Sequence, residues 1–402
     1  FDTFSGCSSL NEIKIPSLVT EIKNQAFEEC TSLTKIDLPP NLQEIAYRSF
    51  YKCTSLNKIE IPSSVTKIGG QAFFQCSSLS KIDLPPSLIM IEFDTFSGCS
   101  SLNEIKIPSS VTVIADRTFE GCSSLTKIDL PPSLEKIEKE SFKGCTSLNK
   151  IEIPSSVNFI NNDAFFGCSS ITQIEIPSSV KKILMNSFNG CSSLVKVSLP
   201  SGLTHIEKNA FINCSKLEEI AFPSSIEKIY PYAFQNCSSL KEVVIKSPSI
   251  DIEKSAFNNC SSIEKLLISS SKIKVDFLAF SGCSKLAQIE IDALTEIRKE
   301  VFQGCSALTQ FSIPSSVKII GNNAFKNCSS LRQVTIPDSV TQIRQGAFYG
   351  CSSLKQVSVP PSVKKIESLV FTGCSSLEMI SIPSSIDTKY IGIAPNIKVQ
   401  LI

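Results

Sequence analysis

The 402-residue chain has little of what most enzymes and nucleic-acid-binding proteins need. It has one histidine, no tryptophan and a formal net charge of +1, from 39 Lys and Arg against 38 Asp and Glu. A balance so close to neutral lacks the basic footprint of a nucleic-acid-binding protein. The sequence has no glycine-rich phosphate loop, and no pair of acidic residues stands apart from the others as an acid–base dyad. His205 lies at a variable position and is interpreted as a surface side chain. We therefore predict no enzyme activity, no cofactor and no metal site.

Long hydrophobic runs are also missing. No run reaches the roughly 18 apolar residues of a membrane-spanning helix, so we predict no membrane insertion within this segment. The sequence begins at Phe1, inside a repeat and without a Met or a signal peptide. We therefore expect a piece of a longer polypeptide or a mature fragment. A signal peptide or an anchor outside this segment stays an open question.

The 17 cysteines follow one another at a fixed interval. Each lies 23 residues after the one before it, from Cys7 to Cys374, except that Cys283 and Cys305 are 22 residues apart. A fixed period of this length indicates stacked structural units. Phe lies three residues before every cysteine, from Phe4 to Phe371. We predict one repeat array over residues 1–386, followed by a C-terminal cap over residues 387–402.

Each repeat has seven positions that are apolar in most copies. In the copy that starts at Cys99 they are Cys99, Leu102, Ile105, Ile107, Val111, Ile114 and Phe119. Ile105 and Ile107 are two residues apart and point to one face of a short strand. Pro108 ends that strand, because it has no N–H for the next strand. Stacked copies should therefore form one parallel sheet with an inward Leu/Ile stripe.

The second half of each repeat predicts a tight turn that leads the chain back to the start of the next strand; this part is called the return segment. A small residue before most of the Phe residues favours a helical or 3₁₀ turn that pushes the ring inside. The residue before the cysteine is Gly or Asn in most copies, which predicts a left-handed backbone there. Three copies depart from this rule, with Glu29, Lys52 and Gln75.

The combination L-x-x-I-x-I-P-S-S-V-x-x-I-x-x-x-A-F-x-G-C-S-S closely resembles the BspA-like subclass of leucine-rich repeats, from residue 1 to about residue 386. The resemblance implies a repeat solenoid, a right-handed superhelix with one parallel β-sheet on the concave face and short turns or 3₁₀ segments on the convex face. Members of the subclass are typically surface or secreted proteins of host-associated bacteria and parasitic protozoa. A non-enzymatic protein that adheres to host cells, matrix proteins or another cell is therefore implied. The alternative is an intracellular protein–protein interaction scaffold.

The cysteines allow two interpretations. Neighbouring strands are close enough for disulfides, but parallel side chains at equivalent positions do not give the dihedral angle of about 90° that a disulfide needs. The count is odd, and no Cys-x-x-Cys pair occurs. Buried free thiols are therefore favoured over a bonded or metal-loaded ladder. Four copies begin a formal N-glycosylation acceptor, at Asn213, Asn236, Asn259 and Asn327. The turn already explains Asn at these positions.

The residues five and seven positions after each cysteine should face outward on the strand. In the first eight repeats they are mostly charged, and Lys35, Lys58 and Lys81 should stack as like charges on adjacent strands. Like charges opposite each other are unfavourable. The stack is either inherited from duplication of repeats or serves a charged partner, and the sequence leaves both open. It is the second candidate site.

The first candidate site lies where these outward positions become apolar. Ala221, Val244 and Leu267 form a predicted apolar column, flanked by Glu219, Glu242 and Lys265. An exposed apolar strip among polar neighbours is typical of a contact site for a protein partner. The alternative is loosened packing, because the proline after Ile245 and Ile268 is missing in these repeats.

Overall fold

The computed structural model describes residues 3–402, which contain no α-helix. They form stacked turns that carry short parallel strands in two compact units, one up to Pro200 and the other over Ser201–Ile402. In most turns, a front strand begins five residues after the cysteine, and a shorter rear strand follows the proline-containing corner.

The strands of the first unit hold two to three residues each. In chain order they are β1 (Glu12–Lys14), β2 (Glu21–Ile22), β3 (Lys35–Asp37), β4 (Glu44–Ile45), β5 (Lys58–Glu60), β6 (Lys67–Ile68), β7 (Lys81–Asp83), β8 (Glu104–Lys106), β9 (Val113–Ile114), β10 (Lys127–Asp129), β11 (Lys136–Ile137), β12 (Phe159–Ile160), β13 (Gln173–Glu175), β14 (Lys182–Ile183) and β15 (Lys196–Ser198). Front strands pair with front strands, as β5 does with β7 and β8 with β10. Rear strands pair with rear strands, as in β2–β4–β6.

The strands of the second unit reach five residues. They are β16 (His205–Ile206), β17 (Glu219–Ile220), β18 (Lys228–Ile229), β19 (Glu242–Lys246), β20 (Ser249–Ile252), β21 (Lys265–Ser269), β22 (Lys272–Val275), β23 (Gln288–Ile291), β24 (Glu296–Ile297), β25 (Gln310–Ser312), β26 (Ile319–Ile320), β27 (Gln333–Thr335), β28 (Gln342–Ile343), β29 (Gln356–Ser358), β30 (Lys365–Ile366), β31 (Met379–Ile382) and β32 (Lys398–Leu401). The last strand, β32, lies in the predicted cap and pairs in parallel with β31.

The predicted fold class, a repeat solenoid of parallel strands, is confirmed. The rear strands are an addition that the sequence analysis did not anticipate. They form because the apolar residue 15 positions after most of the cysteines, such as Ile22, Ile45 and Ile68, lies opposite its equivalent in the next turn. Each of these side chains is buried, so the rear ladder closes the core on its second side.

The Phe residues form a continuous stack inside each unit. Phe27 and Phe50 have ring centroids 5.5 Å apart and planes within 3° of parallel. In the second unit Phe234 and Phe257 are 5.1 Å apart and within 4°. These rings are almost completely buried. Each burial contributes about 1.5–3 kcal/mol, which makes the stack a main source of stability.

The return segment is a run of hydrogen-bonded turns, and its amides alternate between two kinds of partner. Cys30 N donates to Phe27 O in the same turn (3.2 Å), whereas Phe27 N donates to Ser49 O of the next turn (2.9 Å). Alternate N–H groups are thus used between turns. A helix would use every N–H within its own segment, so this pattern satisfies the backbone without one.

The predicted left-handed position before the cysteine is present also in the three copies without Gly or Asn. Glu29, Lys52 and Gln75 have φ of 58°, 56° and 54°. A side chain is unfavourable there, but Glu29 N donates to Tyr51 O of the next turn at 2.7 Å, which holds the conformation. A second left-handed residue lies four positions earlier, for example Gln25 at 58°, and the sequence analysis missed it.

Sixteen of the 17 free cysteines are buried, as predicted. Cys7 is the exception and is exposed, because the described residues pack against only one side of its turn. The thiols point at backbone oxygens: Cys53 Sγ donates to Phe27 O at 3.0 Å, and the same contact recurs through both units. Burial raises the pKa of Cys191 and of Cys328 to about 12, so these thiols stay protonated at neutral pH.

Candidate binding surfaces

The front strands place two outward side chains around one buried side chain. In β5, Ile59 is buried, while Lys58 and Glu60 are exposed on either side of it. The pattern repeats in β3, β7 and β10, so the predicted outward positions of the charged copies are confirmed as exposed. The front surface of the first unit therefore consists of charged pairs on an apolar floor.

Of the Lys residues in the second candidate site, the structure brings Lys58 and Lys81 directly opposite each other. Lys35 lies opposite Glu12. Each lysine also has a carboxylate two residues later on its own strand, at 3.8 Å for Lys35–Asp37, 2.8 Å for Lys58–Glu60 and 4.0 Å for Lys81–Asp83. The hydrogen bond between Lys58 and Glu60 raises the pKa of the lysine and lowers that of the carboxyl group. The like charges are therefore compensated along each strand.

The order of charges reverses in β8. Glu104 lies opposite both Lys81 and Lys127, and its position in the other charged strands around it is occupied by Lys. Two residues on, Lys106 lies opposite Asp129. Opposite charges across a strand pair are favourable. The reversed strand thus relieves the repulsion of a longer lysine column, and the front surface carries no continuous block of one charge.

Two residues of the first candidate site lie together in the second unit. Val244 of β19 is directly opposite Leu267 of β21, and both side chains are partly exposed. Glu242 and Lys265 lie opposite each other at one end of the same pair. Val244 and Leu267 also border a small groove of about 220 Å³, whose other walls include Lys246, Glu290 and Asp292. The apolar pair therefore has a charged border.

The remaining residues of that candidate site lie at or just beyond the short strand β17. Ala221 is exposed and lies one residue beyond β17, which holds only Glu219 and Ile220. It does not line the groove beside Val244 and Leu267. Glu219 is exposed at the start of the same short strand. Val244 and Leu267 are thus paired within a ladder, whereas Ala221 has the corresponding outward position just beyond the end of β17.

The packing beneath the pair is tight. Val243 and Leu266, the inward neighbours of Val244 and Leu267, are completely buried, and so is Ile245. Without a proline after Ile245, β19 continues to Lys246 and pairs with all five residues of β21. The missing proline therefore lengthens the ladder. The continuous ladder and the buried residues beneath it favour an ordered strand pair over loosened packing, the alternative explanation of the apolar column.

A larger groove in the first unit was not anticipated from the sequence. It has a volume of about 840 Å³ and lies on the front side between the turn of Ile151 and that of Lys196. Glu152, Gln173 and Glu175 border it, above an apolar floor that includes Ile176. Its signal in the sequence is weak, because these positions follow the ordinary repeat.

His205 and the Asn residues that precede cysteines have hydrogen-bonding partners close by. His205 begins the rear strand β16, and its Nδ1 lies 2.8 Å from Thr204 Oγ1. The four Asn residues before cysteines adopt φ between 60° and 63°, which confirms their turn role. Asn236 Nδ2 donates to Asn213 Oδ1 at 2.9 Å, and Asn259 Nδ2 donates to Asn236 Oδ1 at 3.3 Å. No helix that could cross a membrane is found among residues 3–402.

Stacked turns with parallel front strands and a buried L-x-x-I-x-I core define a leucine-rich-repeat solenoid. The family described as "BspA type Leucine rich repeat region (6 copies)" matches residues 1–126, 112–241, 158–287, 206–328 and 295–393. These matches extend over nearly the whole sequence, so the chain belongs to the BspA-type leucine-rich repeat family. This family and fold are typically non-catalytic scaffolds that bind proteins.

Solved structures of bacterial leucine-rich repeat proteins are similar to this chain. One from Bacteroides ovatus is 29% identical with a TM-score of 0.73, over 98% of this chain and 92% of that chain. One from Eubacterium ventriosum is 22% identical with a TM-score of 0.43, over 95% and 92%. A leucine rich cell surface protein from Faecalibacterium prausnitzii is 25% identical with a TM-score of 0.37, over 92% and 87%. No curated protein sequence matches the chain.

Proposed function

We propose that this chain is a non-enzymatic adhesion protein, displayed on a cell surface or secreted, that binds proteins of host cells, of the extracellular matrix or of another cell. The contact centres on the front strands of the second unit. The observation that carries the proposal is the partly exposed pair Val244 and Leu267, which face each other across β19 and β21. The surface location rests on the family resemblance.

The surroundings of the pair support a protein-binding role. Protein interfaces combine an apolar centre with a polar rim, and Glu242, Lys265 and Glu290 supply charges around Val244 and Leu267. The pair lies above Val243 and Leu266, which are completely buried. Two strands span only about 5 Å between their axes. The pair would therefore be the centre of a contact that extends over neighbouring turns.

The thiols do not decide between a surface protein and the alternative, an intracellular scaffold. Reduced cysteines would suit the cell interior, where disulfides are rare. Sixteen of these cysteines are buried, however, and burial raises the pKa of thiols such as Cys191. Reactivity requires an accessible thiolate. Free thiols in this core are thus compatible with an oxidising compartment as well.

The test uses a double variant that carries both Val244→Lys and Leu267→Lys. Its binding to immobilised host cells and to matrix proteins is compared with that of the wild-type chain. The matched control is Ser312→Lys with Thr335→Lys, which places the same charges on directly opposite outward positions of β25 and β27. We expect at least a tenfold loss of binding for the first variant and little change for the control. Equal melting curves establish that both variants fold.

Unchanged binding of the Val244/Leu267 variant would overturn the proposed contact. Attention would then move to Lys35, Lys58 and Lys81, whose contact with a charged partner should weaken as salt is added. If the wild-type chain binds neither the host cells nor the matrix proteins, the proposed adhesion is wrong. Labelling of intact cells with an antibody to the chain tests the surface location, and labelling only after lysis would favour the scaffold.

A further inference from the structure

Two exposed aromatic residues of the first unit, Tyr47 and Phe93, lie against a pair of glycines. Tyr47 and Phe93 occupy the same repeat position in turns that are two apart, and the residue at this position in the turn between them is Gly70. A Cβ on Gly70 would lie 2.8 Å from two atoms of the Phe93 ring, and one on Gly69 would lie 2.7 Å from Tyr47 N. Gly70 thus leaves the space that the Phe93 ring occupies, and Gly69 lets the chain pass close to the backbone of Tyr47.

The two rings converge above this space. Their centroids are 6.3 Å apart with an angle of 45° between the planes, although a whole turn separates the two residues. Tyr47 is 39% exposed and Phe93 is 41% exposed, so a large part of each ring remains open to solvent. The backbone on both sides is fixed: Gln71 N donates to Phe93 O at 3.0 Å, and Gly70 N donates to Glu92 Oε2 at 2.8 Å.

A row of planar polar groups borders the rings. The Tyr47 hydroxyl donates to Gln71 Oε1 at 3.0 Å, and Gln71 Nε2 donates to Asp94 Oδ2 at 3.2 Å. Arg117 donates to both oxygens of Asp94, at 2.8 and 3.0 Å. Asp94 is buried, which makes it a fixed anchor, whereas the Arg117 side chain is 40% exposed. Arg117 Nη1 also lies 4.0 Å from Glu140 Oε2, and because the guanidinium has five N–H groups, donors remain for a ligand.

We propose that Tyr47, Phe93 and this polar row form a binding site for a neutral glycan. A pyranose ring has an apolar C–H face that packs on aromatic rings, and hydroxyl groups at its edge that pair with amide, carboxylate and guanidinium groups. The site offers both kinds of contact side by side. The anionic Asp94 is paired with Arg117, which removes the need for a charged ligand.

The size of the site favours a sugar over a protein. A stable protein interface buries about 800 Å² on each partner, far more than the exposed parts of two rings provide. One or two sugar units match an aromatic pair of this extent. The site lies on the return segment of the first unit, whereas Val244 and Leu267 belong to the second unit. It therefore adds a second kind of ligand to the proposed function and does not depend on it.

The first experiment applies the wild-type chain to an array of neutral hexose and N-acetylhexosamine oligosaccharides, with sulfated oligosaccharides as the anionic arm. Hits are titrated by isothermal titration calorimetry, so that the readout does not depend on a side chain of the site. We expect binding to neutral oligosaccharides that changes little with salt. If no neutral oligosaccharide binds, or if only sulfated ones bind, the proposal is wrong.

The second experiment locates the site. Phe93→Ala and Tyr47→Ala should each weaken the titrated oligosaccharide at least tenfold, and Gly70→Ala should weaken it by displacing the Phe93 ring. Phe277→Ala is the matched control, since Phe277 has the same repeat position, is 44% exposed and lies near Arg298, 5.8 Å from its ring. We expect no change for Phe277→Ala or for the Val244/Leu267 variant. Wild-type affinity in Phe93→Ala, with an unchanged melting curve, would overturn the proposal.

Discussion

The front strands of the two units have the same kind of buried inward residues and differ in their outer surface. In the first unit, β5 and β7 hold three residues and carry Lys and acidic side chains on the outside. In the second unit, β19 and β21 hold five residues and carry Val244 and Leu267 outside. The inward residues of both regions are buried to the same degree. The comparison indicates that the core sets the fold while the outward positions vary independently of it.

The largest effect should come from the Phe stack, and it tests whether the two cores are equivalent. Phe165→Ala in the first unit and Phe257→Ala in the second should each destabilise the local turns by about 3–5 kcal/mol, since both rings are completely buried. Calorimetry combined with hydrogen exchange measures the effect. Phe166→Ala, whose ring is less buried, is the control. A much smaller loss for Phe257→Ala would show that the second core is looser.

Alkaline pH should destabilise the thiol ladder of both units. Burial raises the folded-state pKa of Cys191 and Cys328 from 9.0 to about 12. The unfolded chain therefore releases its thiol protons first, and the stabilising contribution that is complete below pH 9 is lost between about pH 9 and pH 12. The melting midpoint should fall over this range. A Cys191→Ala, Cys328→Ala double variant should show a shallower fall, and an identical fall would contradict the assignment to the thiols.

Removing one thiol should have a moderate effect. Cys99 Sγ donates to Phe73 O at 3.1 Å, and Cys328 Sγ donates to Phe302 O at 3.2 Å. Cys99→Ala and Cys328→Ala should each lower the free energy of unfolding by about 1–2 kcal/mol through the lost hydrogen bond and a small cavity. Chemical denaturation measures this loss. Cys7→Ala, at an exposed position, should change little, and an equal loss there would be inconsistent with the role of burial.

The smallest effect should come from the charged front surface. Exchanging the order of charges in β5, with Lys58→Glu and Glu60→Lys, reproduces the Glu–Lys order already present in β8. Because both side chains are exposed, we expect no measurable change in the melting midpoint at physiological salt. A clear fall in the melting midpoint would show that the outward charges stabilise the first unit, and that the outward positions do not vary independently of the fold.

The sequence was sufficient for the repeat, the front strands and the core positions, because 17 copies average out local exceptions. The front strands follow from the spacing of Ile105 and Ile107, and the buried ring from the fixed position of Phe. The rear strands were missed because two residues such as Glu21-Ile22 carry no strand signal alone. They gain it only from the equivalent residues of the next turn.

The candidate surfaces were harder to predict, since they depend on which side chains become neighbours. The facing of Val244 and Leu267 follows from the register and was predicted. The position of Ala221 outside a strand was not, because the sequence does not show that β17 ends at Ile220. The contact between Tyr47 and Phe93 was also missed, although Gly69-Gly70 is the only Gly-Gly pair in the chain and marks the place.

The alternating hydrogen bonds of the return segments have a consequence for how such a chain changes length. Each turn gives amide and thiol hydrogens to its neighbours and offers carbonyl oxygens in return, as Phe27 N does with Ser49 O. A whole inserted or deleted turn therefore leaves donors and acceptors matched. Residues Phe1–Ser17 are identical in sequence to Phe93–Ser109, as expected if whole turns were duplicated. Evolution can thus lengthen the surface in steps of one turn without redesigning the interior.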